Sequence, residues 1–172
     1  DEFIRKINKI EGIDFFVNTI SNIMNFDKFE NIEHRYFKED IEINYLSHIY
    51  ILQNLITKFR KGSNIIFVLT EMIDKPAKYF SSYISSKYAL VGLMKCLALE
   101  LEQKGIRVNS ILPGGMDTKF RWAIRSNGKI GKFPESIKER ILNENKLTKP
   151  EDVAKKIMEI IANEKINGEM IR

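Results

Sequence analysis

The chain has 172 residues, 44% hydrophobic and 30% charged, with a formal net charge of +5, which suffices to bury one core and build one domain or most of one. The basic balance does not mark a nucleic-acid binder, because 28 Lys and Arg are scattered among 23 Asp and Glu without a basic run or interleaved aromatics. A single cysteine, Cys96, rules out an internal disulfide and is expected as a small buried thiol in a cytoplasmic protein; the longest apolar run, Tyr88 to Leu99, is broken by Lys95 and falls short of a bilayer span.

In chain order, residues 1–10 read as a helix end and 12–18 as a strand, Gly12-Ile-Asp-Phe-Phe-Val17, running into Asn18-Thr-Ile-Ser21. Residues 35–60 read as a helix opening near Ile41-Glu-Ile-Asn44, 63–70 as a strand ending on Thr70, and 83–103 as an apolar helix. A strand follows at 106–112, then helices at 134–144 and 150–163 and a last strand at 167–172. Pro150-Glu-Asp places proline in a first turn with acids beside the positive helix end. The strands are near-continuous apolar runs without polar alternation, as expected when both faces are covered, so the alternation of helices and strands predicts an α/β fold with a doubly wound parallel sheet. In the helix from Tyr83, residues Leu90, Val91, Leu93, Met94, Leu97, Ala98 and Leu101 form more than one apolar stripe, and the surplus predicts a subunit contact.

The chemistry centres on Tyr83-Ile-Ser-Ser-Lys87, downstream of Thr70. A phenol beside an ammonium is a proton donor whose pKa the positive charge lowers, and a nearby hydroxyl can hold a carbonyl oxygen that receives the proton. That arrangement suggests carbonyl reduction. Asn18, Asn44 and Thr70 are spaced by 26 and 26 residues, Tyr83 follows Thr70 by 13, and Pro113-Gly114 follows Tyr83 by 30.

Those residues and spacings resemble the single-domain form of the short-chain dehydrogenase/reductase family, with a likeness to 3-oxoacyl-acyl-carrier-protein reductases. The resemblance implies a Rossmann-like fold of which residues 1–172 are the C-terminal two-thirds, because no Gly-rich dinucleotide turn is present and about two βα units would precede Asp1. It implies an oxidoreductase using NAD or NADP to interconvert a carbonyl and a secondary alcohol, with Tyr83 as general acid/base, Thr70 holding the oxygen, and Lys87 serving both the phenol and the nicotinamide ribose. Asn44 would hold a relay water through its main-chain carbonyl. Asn18, Pro113, Gly114, Met116 and Thr118 would line the cofactor, and no metal is implied.

Residues 119–146, with Phe120, Trp122, Ile130 and Phe133, would form a substrate lid, in which Arg121, Arg125 and Lys132 could meet an anionic tail. The partners implied are a small carbonyl or alcohol substrate and further copies in a homodimer or homotetramer. Two departures stand out: Thr70 replaces the family's usual serine, and Asn18-Thr-Ile-Ser21 keeps only the first residue of its Asn-Asn-Ala-Gly. They leave a second reading, a non-catalytic relative acting as a binding or assembly subunit.

Overall fold

A computed structural model describes residues 2–23, 26–116, 118, 138–139 and 147–172. The lid segment 119–146 and the helix expected at 134–144 therefore lie outside the described residues, apart from 138 and 139. Helix α1 (Glu2–Asn8) leads into strand β1 (Ile13–Asn18); α2 (His34–Ile41), a π turn (Glu42–Leu46) and α3 (Ser47–Leu55) lead to β2 (Phe59–Val68). Helix α4 (Ser81–Glu100) connects β2 to β3 (Arg107–Ile111), and α5 (Pro150–Ala162) precedes β4 (Met170–Ile171). The four strands are parallel and adjacent in the order β1-β2-β3-β4.

Strand β2 shows why the sheet is wound on both sides. Its Ile65 and Phe67 face a core that includes Leu52 of α3 and Leu90, Met94 and Ala98 of α4, while Ile66 and Val68 face Val153 and Ile160 of α5. Successive strand side chains point to opposite faces, so an unbroken apolar run is the sequence signature of burial on both. This is the expected doubly wound α/β sheet. Among the described residues β1 pairs on one side only, and Phe15 is 54% exposed.

Two boundaries differ from expectation for identifiable reasons. The helix expected to reach residue 60 stops at Leu55, followed by a short 3-10 turn, because Phe59 pairs with Ile13 and meets Phe16 edge to face at 6.4 Å. The last strand starts only at Met170, because Asn167 does the earlier bonding with its side chain: its Oδ1 accepts from Val108 N at 2.9 Å and its Nδ2 donates to Ala98 O at 2.9 Å. Gly168 then turns with φ +77°, a conformation that favours glycine. The strand is held further on by Arg172, whose guanidinium pairs with Asp74 at 2.6 Å.

The α4 surface also corrects two expectations. Cys96 is exposed rather than buried. Of the apolar set assigned to a subunit contact, Leu90, Val91, Met94, Ala98 and Leu101 are buried in the core and Leu93 and Leu97 pack against it. The apolar groups this helix leaves outside are Tyr88 and Leu99. Among the described residues no helix is long and apolar enough to cross a membrane, and no His, Cys, Asp and Glu cluster could hold a metal ion.

Candidate active site

The predicted residues gather at the C-terminal ends of the parallel strands, the usual location of ligand crevices in open α/β sheets. Asn18 closes β1, Thr70 lies just past β2, and Pro113-Gly114 lies just past β3. The last two loops are joined directly: Glu71 N donates to Pro113 O at 2.9 Å, and Leu69 N to Ile111 O at 2.9 Å. Gly114 lies against Glu71 and Thr148, since a Cβ added there would come within 3.3 Å of Glu71 Oε2. Met116 is held by a parallel bridge to Thr148, and Thr118 is half-buried beyond it.

Thr70 caps the 3-10 turn Glu71–Ile73 by accepting from Met72 N at 3.3 Å. The cap engages an acceptor lone pair and leaves the hydroxyl proton available. Tyr83 and Lys87, four apart near the start of α4, share one helix face, and both are buried. The Lys87 ammonium stands 5.8 Å from the centre of the Tyr83 ring.

The electrostatics overturn one expectation. Burial pushes the Tyr83 phenol up to about 12, whereas the hydroxyls of Ser21 and Thr70 pull the other way. Burial leads, the charge of Asp40 adds to it, and the lowering expected from Lys87 is not among the causes. The lysine is itself pushed down to about 8 by burial, and its Nζ has no hydrogen-bond partner among the described residues.

Asn44 sits in the π turn, a helix irregularity common at functional sites. Its side chain clamps the chain after β1: Oδ1 accepts from Asn22 N at 2.6 Å, and Nδ2 donates to Asn22 O at 2.8 Å and to Ser86 Oγ at 3.0 Å. Ser86 in turn donates to Tyr83 O at 2.6 Å, so the asparagine is tied to the helix that carries the tyrosine. Asn18 Oδ1 accepts from Ile20 N at 3.0 Å, and its buried Nδ2 has no partner among the described residues.

Two residues that motif reading passed over belong to this cluster. Ser21, seen in sequence only as a departure from a glycine, acts on the Tyr83 phenol to lower its pKa, and its buried hydroxyl makes no hydrogen bond among the described residues. His48 is fully buried and meets Ile20 O through Nε2 at 3.1 Å. Its four-residue separation from Asn44 was the available signal.

Burial and the Lys87 charge push His48 down to about 4. Between about 6.5 and 4 the unfolded chain therefore takes a proton that the folded ring refuses, so this group's stabilising contribution is present above about 6.5 and is lost as pH falls through 4. Denaturation midpoints of wild type and His48→Gln should show a smaller loss between pH 7 and pH 5 in the variant. Equal losses would remove His48 from the acid sensitivity.

Beside Tyr83, Phe26 stacks on Phe80 with ring centres 6.0 Å apart, and both pack with Ile84. A groove of about 450 Å³ adjoins that cluster, lined by Ala77, Tyr79, Phe80, Ile84 and Tyr88 among others. Tyr79 holds a left-handed backbone, φ 74°, unusual for a bulky residue.

The family model described as Enoyl-(Acyl carrier protein) reductase matches residues 2–171. The chain is 30% identical over 153 residues to 3-ketodihydrosphingosine reductase of Mus musculus, covering 87% of this chain and 44% of that protein. It spans about half the length of the curated relatives it matches. Among solved structures, a short chain dehydrogenase family protein from Francisella tularensis superposes with a TM-score of 0.85 at 21% identity, covering 99% of this chain and 72% of that one. A short chain dehydrogenase from Burkholderia cenocepacia in complex with NADP superposes with a TM-score of 0.77 at 20% identity, covering 98% and 68%. With the family model matched almost end to end and the parallel sheet shared, the chain belongs to the short-chain dehydrogenase/reductase family.

Proposed function

We propose that the protein containing this chain is an NAD(P)-dependent reductase of carbonyl groups, with Tyr83 as the general acid. The observation that carries this reading is the buried Lys87 ammonium, without a hydrogen-bond partner among the described residues, 5.8 Å from the ring centre of the buried Tyr83 phenol. An ammonium held away from water without a partner is costly and persists where a ligand completes it. Lys87 Nζ and Asn18 Nδ2 are both buried donors without partners among the described residues, which fits the hydroxyl-rich ribose of a nicotinamide nucleotide. The Burkholderia relative's NADP supports the same assignment. When bound, the reduced nicotinamide supplies the hydride.

The chain's own residues manage the oxygen. Thr70, its lone pair occupied by Met72 N, donates to the carbonyl oxygen, and Tyr83 donates the proton that the developing alkoxide needs. A phenol near 12 is protonated throughout the neutral range, which suits reduction. The reverse direction needs a phenolate that burial disfavours. Pro113, Gly114, Met116 and Thr118 form the cofactor side of the crevice, and the apolar groove beside Phe80 and Ile84 the substrate side. We assign residues 119–146 as the substrate lid, the chain as part of a cytoplasmic Rossmann-like domain, and Tyr88 and Leu99 to the contact of a homodimer or homotetramer.

The testing experiment is oxidation of NADH and NADPH by the intact protein against a panel of ketones and aldehydes. Turnover above a Tyr83→Phe control is expected. Thr70→Ala should lower turnover at least about tenfold, the loss expected when a donor to developing charge is removed, and Thr70→Ser should retain it. Nucleotide binding without turnover on any carbonyl would favour the alternative, a binding or assembly subunit.

A further inference from the structure

Thr70 has to hold an oxygen in a fixed place, yet the turn it caps is short. Glu71–Ile73 is a single 3-10 turn, an element with poorly aligned hydrogen bonds that does not keep its shape unaided. Its own bonds are local: Met72 N donates to Thr70 Oγ1 at 3.3 Å, and Ile73 N donates to Thr70 O at 3.1 Å. Rigidity has to come from neighbouring elements.

Three contacts reach the turn. From the loop after β3, Pro113 O accepts from Glu71 N at 2.9 Å. From the end of β4, Arg172 pairs with Asp74 at 2.6 Å, an exposed ion pair of small worth. From α4, the Tyr88 hydroxyl donates to Ile73 O. A carbonyl can only accept, which fixes the direction of that bond. Ile73 is bonded in turn to Thr70, so the connection runs from Tyr88 through Ile73 to Thr70 without a gap. Tyr88 follows Lys87 directly on the helix that also carries Tyr83. Its ring is 46% exposed and lines the groove beside Phe80 and Ile84, so the hydroxyl is the part of it that does the holding.

We propose that Tyr88 is a positioning residue: by gripping Ile73 O from α4 it fixes the placement of Thr70 relative to Tyr83, the two groups that donate to one substrate oxygen. In its turnover effects this rests on the reductase reading above; in its geometry it does not.

The test uses the intact protein and Tyr88→Phe, which keeps the ring and removes only the bond. That variant should lower kcat about three- to tenfold, the scale of one neutral hydrogen bond, with NADH and NADPH affinity unchanged within a few-fold. A double-variant cycle identifies the route. With Thr70→Ala already in place, Tyr88→Phe should cost less than about twofold more, because its effect passes through a hydroxyl that is gone. Independently of turnover, amide hydrogen exchange followed by NMR should run about three- to tenfold faster at Met72 and Ile73 in Tyr88→Phe, with the β2 amides unchanged.

Wild-type kcat in Tyr88→Phe, or unchanged exchange at Met72 and Ile73, would overturn the proposal. So would a kcat loss of equal size with and without the Thr70 hydroxyl, which would trace the effect to the helix or to a subunit contact. If wild type and Tyr83→Phe are equally inactive on every carbonyl, the reductase reading fails, and exchange at Met72 and Ile73 decides whether Tyr88 holds the turn.

Discussion

Tyr83→Phe is expected to lower carbonyl reduction by about 10²- to 10⁴-fold, the range for loss of a positioned general acid, while nucleotide binding stays within a few-fold. The reason is local. The ring packs with Phe26, Phe80 and Ile84 in a buried cluster, so Phe preserves the volume and the helix start. Only the hydroxyl is lost, and with it the proton donor. Steady-state kinetics paired with a nucleotide titration checks both halves. Near wild-type turnover would remove Tyr83 from the mechanism.

Lys87→Met is expected to do two opposite things. It should abolish useful nucleotide binding and, in the protein without nucleotide, raise thermal stability. Burial lowers the lysine from 10.5 to about 8 without a compensating partner among the described residues. A folded-state pKa below the unfolded value means that this group's stabilisation is present above 10.5 and is lost as pH falls through 8. At pH 7 the folded protein therefore carries nearly the whole cost, roughly 3 kcal/mol at 1.36 kcal/mol per pKa unit. Methionine fills a similar volume without charge. The expected gain in Tm is about 10 °C, given roughly 2–4 °C per kcal/mol for a domain of this size, and it should shrink as pH is raised toward 10.5. Calorimetry at two pH values checks it. An unchanged or lowered Tm would show that the ammonium has a partner in the free protein.

The strands and the Tyr83–Lys87 face were legible because they rest on local patterns. Uninterrupted apolar runs such as Ile65 to Val68 predict burial on both faces, and a four-residue spacing puts two side chains on one helical face. What local pattern does not carry is burial depth. The phenol was expected to be lowered by Lys87, but its surroundings come from β1, β2 and α2 as well, and desolvation dominates. Ser21 and His48 were missed for the same reason. Each owes its place to residues more than twenty positions away: Ser21 acts on the Tyr83 phenol, and His48 meets Ile20 O. Cys96 shows the converse error, since an apolar neighbourhood in sequence includes the outer side of a helix.

The central claim is that Lys87 waits for a nicotinamide nucleotide, and a fluorescence titration of the intact protein with NADH and NADPH tests it most directly. The account predicts saturable binding of at least one nucleotide, lost in Lys87→Met and kept in Tyr83→Phe. Binding of neither nucleotide to wild type, or equal binding to wild type and Lys87→Met, would contradict it.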